Sequence, residues 1–419
     1  MTKSSITWQA IFDDVNMLKT RQPFPDYLKE FATFTEDFYC GVDFLLAYKD
    51  LVTTFNTYRR EIERLFQWSW RIAKRSVLTL KREDIENYLN FCAQPPASWI
   101  GLSIQARFIE HNGIRVPNPK WRPFVAKISK AKRATGITSN IKNFNFTNNS
   151  MKELLAILSS FYLFMIQEEK LTANPILLMR QKSKFIRKQQ GIAKIRRLTP
   201  RQLQYLMATA LHLAQTDPEK HERTLFVISI LYGMYLRISE LSASPRWTPQ
   251  MNHFYRDEHE AWWFTTVGKG NKQRNIAVSD AMLTALKRWR HFLGLSPLPS
   301  VADSSPLLPK SRGDGPIAST RYIRKLVQYA FDCTTDKLRA DGYCDEADSL
   351  MHATVHWLRH TGISDDVKIR PREHVRDDAG HSSSVTTDKY IDVSLEERHA
   401  SAERKALIDD TADELLKHW

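Results

Sequence analysis

The segment that decides the fold is HWLRH, residues 356–360. Residues three and four apart on an α-helix lie on one face, so His356, Arg359 and His360 converge, while the tryptophan and leucine between them point elsewhere. We therefore predict a helix over residues 354–366 with one arginine and two histidines on a single face. Taken alone, this pattern is more typical of an ordinary surface helix than of a catalytic site, so its meaning depends on the rest of the chain.

Two further polar residues follow this helix. His381 comes directly after Gly380, and Tyr390 lies nine residues beyond the histidine. A histidine after glycine is commonly a turn or cap residue, and a lone tyrosine is more often half-buried core than a nucleophile. Each residue is a weak signal in isolation.

Upstream of this helix, Arg237 stands in an apolar stretch, YLRISEL at residues 235–241. Burying an arginine costs free energy unless it is paired. One use of such an arginine is a bidentate grip on phosphate, and another is a salt bridge to Glu240. Both hold if Glu240 orients the arginine.

A basic turn separates two predicted strands, at residues 262–267 and 275–278. Gly268 and Gly270 punctuate the turn, and Lys269 at its tip is able to reach a leaving oxygen. An ordinary exposed cationic turn is the competing interpretation, and Lys272 is a second lysine that competes for the same role. The glycine spacing excludes a P-loop.

Taken in chain order, these strings resemble the tyrosine recombinase (phage integrase) family. The matching strings are YLRISEL, VGKGNKQRNIAV, HWLRHTG and GHSSSVTTDKYI, and the resemblance covers about residues 195–395. More loosely, TFNTYRREIERLFQWSW and EEKLTANPI resemble the two ends of the family's helical core-binding domain. One departure is DDAGH before and at His381, where the family usually has an apolar LGH-like sequence. Another is the stretch 95–149, which is longer than a minimal core-binding domain needs.

The resemblance implies a nucleophile and a phosphate clamp. Tyr390 would attack the scissile phosphate, forming a 3′-phosphotyrosyl bond and freeing a 5′ hydroxyl. Arg237 and Arg359 would hold the non-bridging oxygens, where cations stabilise the transition state. Because the covalent bond conserves the energy of the broken one, no ATP is implied.

The remaining implied roles concern protons and support. Lys269 would protonate the leaving 5′ oxygen, and His356 would assist proton transfer to or from Tyr390. His381 would hydrogen-bond the phosphate. Glu240 and His360 would support these groups from behind. We expect neither a metal nor a cofactor, and the four cysteines lack metal-ligand spacing.

The charge of the chain favours a polyanionic partner. The 419 residues carry a formal net charge of +14, and no stretch approaches 18 uninterrupted apolar residues, so we expect no membrane partner. Two basic runs lack acids and are either solvated segments or tracks for phosphates. The candidate DNA-binding residues in them are Lys120, Arg122, Lys130, Lys132, Arg133, Lys182, Lys184, Arg187, Lys188, Lys194, Arg196 and Arg197.

The predicted architecture is mainly α-helical with a small β-sheet in the C-terminal domain. We expect a helical arm at 1–45, a helical core-binding domain at 46–180 and a basic linker at 181–197. A mixed α/β catalytic domain would span 198–395. The two larger domains would form a C-shaped clamp around duplex DNA. A C-terminal helix at 396–419 would either fold back on its own domain or dock on a neighbouring subunit.

The resemblance implies site-specific strand exchange on double-stranded DNA with a specific core site, through a Holliday junction. We favour integration or excision of a mobile element by a tetramer in the cytoplasm, at the nucleoid. A DNA-bending protein or a partner recombinase would be an accessory. The alternatives are an Xer-like resolvase of chromosome or plasmid dimers, relaxation of the type IB topoisomerase kind, and a non-catalytic DNA-binding accessory protein.

Overall fold

The chain divides between residues 192 and 193 into two units in this computed structural model. The structure describes residues 8–20, 23–134, 136–177, 179, 196–268, 270–381 and 386–387. The predicted C-terminal helix at 396–419 and most of the basic linker lie outside the described residues. Each unit is built around its own hydrophobic core.

The N-terminal unit is mainly helical. Its α-helices are α1 (Val15–Lys19), α2 (Thr35–Leu46), α3 (Val52–Trp68), α4 (Arg82–Ala93), α5 (Lys130–Ala134) and α6 (Asn148–Gln167). A nine-residue 3₁₀ segment with a kink at Phe31 covers Asp26–Phe34. Single 3₁₀ turns cover Val77–Thr79, Ala97–Trp99 and Ile141–Asn143, and a π-helical turn at Ser69–Ala73 follows α3. The three- and four-residue spacing of apolar side chains in α3 predicts its buried face, where Phe55, Ile62 and Leu65 are buried.

Residues before α3 share the core of this unit. The Trp8 ring lies 4.6 Å from the Trp99 ring, and the Phe12 ring lies 5.2 Å from the Phe66 ring. Such aromatic pairs add stabilisation beyond their buried area. Much of the predicted arm at 1–45 is therefore packed into the first unit, while the domain boundaries themselves stay predictions.

The stretch between α4 and α6, which is longer than a minimal core-binding domain needs, contains two small sheets. Strand β1 (Ile100–Gly101) pairs in parallel with β4 (Phe124–Val125). Strand β2 (Phe108–His111) pairs antiparallel with β3 (Ile114–Pro117). The strands are too short for a period-two pattern to be read in the sequence.

The C-terminal unit combines helices with one three-stranded sheet. Its helices are α7 (Pro200–Thr216), α8 (Pro218–Gly233), α9 (Asp280–Phe292), α10 (Thr320–Ala340), α11 (Cys344–Leu350), α12 (Val355–Asp366) and α13 (Arg372–Ala379), with 3₁₀ turns at Ile238–Glu240 and Met251–His253. Helix α7 begins at a capping box formed by Thr199 and Gln202, with Pro200 in the first turn.

The sheet has the antiparallel order β5 (Phe254–Arg256), β6 (Trp262–Val267) and β7 (Gln273–Ala277). It includes the predicted hairpin, whose two strands are β6 and β7. Phe264 and Ile276 pair across it and are buried, so one face of the hairpin packs on the core.

The predicted fold class, mainly α with a small sheet in the C-terminal domain, is confirmed. The clamp arrangement stays a prediction. Within the described residues, none of the helices combines the length and hydrophobicity needed to cross a bilayer.

Candidate active site

Arg359 is the most buried of the described candidate residues that would touch the phosphate. It lies on α12 with 4% of its surface exposed. Its Nη1 donates to the Tyr235 carbonyl, and its Nη2 donates to the Ala379 carbonyl at 2.6 Å. These hydrogen bonds offset the cost of burying the guanidinium and hold it against the turn that precedes His381.

His381 is placed by the end of α13. Gly380 caps this helix in the left-handed conformation, with φ at 63°, and the His381 N–H donates back to the Arg376 carbonyl at 3.1 Å. The imidazole Nε2 lies 3.3 Å from Arg359 Nη2, and Nδ1 lies 2.9 Å from Thr387 Oγ1. Burial and the nearby Arg359 and Arg237 lower the pKa of His381 to about 4, so the ring is neutral at pH 7.

Arg237 reaches the same turn from the other side. It follows α8 and keeps 27% of its side chain exposed. Its Nη2 donates to the Gly380 carbonyl at 3.3 Å, next to the Ala379 carbonyl that Arg359 uses. The structure therefore brings together three of the predicted residues, Arg237, Arg359 and His381.

Glu240 lies beneath Arg237 and is 1% exposed. Its carboxylate accepts from the Arg237 backbone N–H at 2.8 Å and from Arg237 Nη1 at 3.0 Å. Burial raises the pKa of Glu240, but hydrogen bonds from Arg274 and the charges of Arg274 and Arg237 outweigh it, so that the pKa is lowered. The predicted salt bridge between Arg237 and Glu240 is present.

Arg274 is a residue that the sequence reasoning missed. It lies on β7 opposite Thr266, with 10% of its side chain exposed. Its two Nη atoms each donate to one oxygen of Glu240 at 2.8 Å, and Nε donates to the Asp378 carbonyl at 2.9 Å. Arg274 lies in the string VGKGNKQRNIAV, and that string is the one feature of the sequence that could have drawn attention to it. Its partners Glu240 and Asp378 are far along the chain.

The two histidines of α12 lie on one side of the helix, as predicted. The His356 and His360 ring centroids are 6.4 Å apart. His356 is exposed, and burial of part of the ring with the charges of Arg359, Arg324 and Arg237 lowers its pKa. Burial likewise lowers the pKa of His360, against a hydrogen bond with the Arg196 backbone.

A second polar network supports the turn before His381. Asp378 is 5% exposed and accepts from Arg370 Nη2 at 2.6 Å and from the Ala277 N–H at 3.4 Å. Arg370 also donates to the Tyr235 hydroxyl at 3.0 Å, and that hydroxyl donates to Asp366. The ion pair with Arg370 thus accommodates the polar residue Asp378 of the DDAGH string. Ala379 is buried at the position where the family usually has an apolar residue before Gly-His.

Two catalytic candidates, Lys269 and Tyr390, lie outside the described residues. So do the candidate DNA-binding residues Lys182, Lys184, Arg187, Lys188 and Lys194. Lys120, Lys130, Lys132, Arg133 and Arg196 are exposed, whereas Arg122 and Arg197 are half-buried. In the described ranges no group of three or more His, Cys, Asp or Glu side chains is arranged to hold a metal ion.

The described site has side chains whose chemistry suits an anion. Arg237 and Arg359 present guanidinium groups at one turn, beside the neutral imidazole of His381. Guanidinium groups suit the non-bridging oxygens of a phosphodiester, and preorganised donors stabilise the charge of its transition state.

The proteins that are similar to this chain in sequence carry the same name. The chain is 25% identical over 254 residues to the tyrosine recombinase XerC of Pelobacter propionicus, covering 59% of this chain and 70% of the relative. It is 24% identical over 262 residues to the tyrosine recombinase XerC of Chlorobaculum parvum, covering 59% and 69%. No protein-family model matches the chain.

The fold has a solved counterpart. A XerH site-specific recombinase bound to a palindromic difH substrate, in a post-cleavage complex, aligns with a TM-score of 0.53 at 14% identity, covering 87% of this chain and 88% of that chain. The chain is thus similar in sequence to proteins named tyrosine recombinases and shares the fold of a site-specific recombinase.

Proposed function

We propose that this protein is a tyrosine recombinase, which cuts and rejoins duplex DNA through a 3′-phosphotyrosyl intermediate formed by Tyr390. The observation that carries the proposal is the meeting of Arg237 and Arg359 at the Ala379–Gly380 turn, beside His381. Two fixed cations and a hydrogen-bonding ring at one point match the oxygens of a single phosphodiester.

In the proposed first step, the Tyr390 oxygen bonds to phosphorus and the bond from phosphorus to the 5′ oxygen breaks. Lys269 gives a proton to that oxygen, and His356 takes the proton from the tyrosine. The lowered pKa of His356 supports this role, because a neutral imidazole at pH 7 is able to accept a proton. Attack by a 5′ hydroxyl of the partner duplex reverses the step and frees Tyr390.

We assign the strand exchange to the integration or excision of a mobile element, through a Holliday junction. The second candidate is Xer-like resolution of chromosome or plasmid dimers; two similar proteins carry the name XerC. Recombination of plasmids carrying the flanks of the protein's own gene supports the first role. Recombination only at a chromosomal site away from the gene supports the second.

The proposed partner is double-stranded DNA with a specific core site. The exposed basic residues of the first run, Lys120, Lys130, Lys132 and Arg133, suit phosphate contacts that fix register, while base contacts select the site. We extend the proposal to a tetramer on synapsed DNA at the bacterial nucleoid, with an accessory DNA-bending protein or partner recombinase. Sedimentation that finds only monomers on synapsed DNA would contradict the tetramer.

The test is trapping of protein on nicked duplexes drawn from the flanks of its gene, followed by a denaturing gel. Wild type is expected to give a protease-sensitive adduct, and Tyr390→Phe is expected to give none. Tyr329→Phe on α10 is the matched control, since its exposed ring stacks on His221 and phenylalanine keeps that stacking.

Other outcomes separate the rivals. Efficient relaxation of supercoiled DNA by the wild type without any recombinant product would favour the topoisomerase alternative. Binding by both proteins with no adduct on any duplex would favour the non-catalytic accessory protein and overturn the proposal.

A further inference from the structure

We propose that Arg274 is a positioning residue, which holds both sides of the phosphate clamp in register through one guanidinium. This inference rests on the proposed function, because it concerns the same site. Arg274 itself is 10% exposed and its three nitrogens donate to Glu240 and Asp378, so it is not placed to touch the phosphate.

The first side of the clamp is Arg237. The two Nη atoms of Arg274 form a fork with both oxygens of Glu240, each at 2.8 Å. The same carboxylate accepts from the backbone and the side chain of Arg237. Because a fork fixes the plane of a carboxylate, Arg274 sets the direction from which Glu240 holds Arg237.

The second side of the clamp is the turn that carries His381. Arg274 Nε donates to the Asp378 carbonyl at 2.9 Å, near the end of α13. The next two carbonyls along the chain, Ala379 and Gly380, accept from Arg359 and Arg237. Through its third donor, Arg274 therefore places the turn at which the two clamp arginines meet.

Two glycines of the family-like strings pack against this arginine. A Cβ on Gly268 would lie 2.9 Å from Arg274 Nη1 and 2.9 Å from Glu240 Oε1. A Cβ on Gly380 would lie 2.8 Å from Arg274 Cδ. Both positions need glycine because the Arg274 side chain occupies the adjoining space. Gly268, where the hairpin turn begins, is thereby packed on the same guanidinium.

Arg274 also changes the charge balance around Glu240. One carboxylate serves two guanidiniums, so the group of Arg237, Arg274 and Glu240 keeps one positive charge. Without Arg274, the carboxylate would neutralise Arg237 one to one. Arg274 thus leaves Arg237 with charge to offer an incoming phosphate.

The experiment compares Arg274→Lys with wild type in single-turnover cleavage of the nicked duplex, alongside DNA affinity measured separately. Lysine keeps the charge and loses the fork. We expect cleavage to slow by about 100-fold, as a small misplacement of clamping groups does, with DNA affinity within about twofold because the phosphate contacts of the basic runs are unchanged. Arg290→Lys is the matched control. Arg290 is a 1% exposed arginine of the same unit that binds Asp303 and Ser296, so its replacement reports a structural role alone.

Positioning through Arg237 predicts a second result, which a purely structural role of Arg274 does not predict. The double variant Arg237→Lys with Arg274→Lys should cleave faster than the product of the two single effects predicts, because the two residues share the Glu240 carboxylate; Arg274 still adds a separate effect through the Asp378 carbonyl. If Arg274→Lys fails to fold, Gly268→Ala is the second variant. Its added methyl group displaces the fork without removing any charge, and the same slow cleavage is expected.

The proposal is overturned if Arg274→Lys and Gly268→Ala both cleave at the wild-type rate. It is also overturned if the effects of Arg237→Lys and Arg274→Lys on the rate multiply, or if Arg290→Lys slows cleavage equally. These failures differ from failure of the proposed function, in which wild type itself forms no adduct.

Discussion

The two units use buried carboxylates differently. In the N-terminal unit, Glu63 is fully buried and Arg107 meets it at 2.6 Å, while the Ile11 and Phe12 N–H groups donate to the same carboxylate. In the C-terminal unit, Glu240 is as deeply buried but is shared between Arg237 and Arg274. The first arrangement pairs one cation with one anion, and the second leaves a cation in excess.

The pair of Glu63 and Arg107 stabilises the fold, whereas the cluster of Glu240 with two arginines is suited to binding a ligand. A matched buried pair completes its own charge and ties residues 11–12 to α3. An unmatched cluster is more costly to maintain in the free protein, since like charges lie close together. A site that binds a phosphodiester needs that excess, because the ligand supplies the missing negative charge.

The largest expected effect tests the matched pair. Glu63→Gln leaves Arg107 buried without its counter-ion, and we expect a decrease of about 3–5 kcal/mol in the free energy of unfolding of the N-terminal unit. Hydrogen exchange of the α3 amides in the full chain measures it. Glu153→Gln, at a carboxylate that is 53% exposed and 3.8 Å from Arg60, is the control and should change it by less than about 1 kcal/mol. Equal decreases in the free energy of unfolding in the two variants would show that the buried pair of Glu63 and Arg107 has no special role in stability.

An intermediate effect concerns the exposed residues of the first basic run in the N-terminal unit. Replacing Lys120, Lys130, Lys132 and Arg133 together by glutamine should weaken DNA binding. The slope of log affinity against log salt should become shallower by roughly 0.9 for each phosphate that the variant no longer neutralises. Lys19, Lys29, Lys49 and Lys74, also exposed in this unit, form the control set. An unchanged slope would show that the first basic run is only solvated.

The smallest expected effect is a pH dependence at His381. Its pKa is about 4 in the folded protein against about 6.5 when unfolded. The unfolded state therefore binds more protons between these values, so the stabilisation is complete above about pH 6.5 and is lost as the pH falls toward 4.

The measurement compares His381→Gln with wild type by exchange protection of the α13 amides at several pH values. The advantage of wild type should shrink between pH 7 and pH 4. The exposed His291→Gln on α9 controls for removal of a histidine. A constant difference across this range would mean that neither burial nor the nearby cations lower the pKa of His381.

Much of the site follows from local sequence patterns. The 3.6-residue spacing in HWLRH places His356 and Arg359 on one face of α12, and glycine punctuation locates the hairpin of β6 and β7. Arg237 and Glu240 are close in sequence, so their salt bridge is predictable from spacing alone. These features depend on neighbours within a few residues.

The rest depends on distant neighbours. Arg274 and the Asp378 carbonyl are 104 positions apart, and no local pattern indicates their hydrogen bond. Helix α13 is short and mostly charged, with Val375 and Ala379 as its buried apolar residues, so periodicity did not predict it. Helix α10, by contrast, is amphipathic over its whole length, and its buried residues run from Ile323 to Leu338.

The most direct test of the account is to identify the residue that carries the DNA. The adduct from a nicked duplex would be digested with protease and nuclease, and the modified peptide sequenced by mass spectrometry. We expect a nucleotide joined through its 3′ phosphate to Tyr390. A phosphate linkage on any other residue, or through a 5′ phosphate, would contradict it.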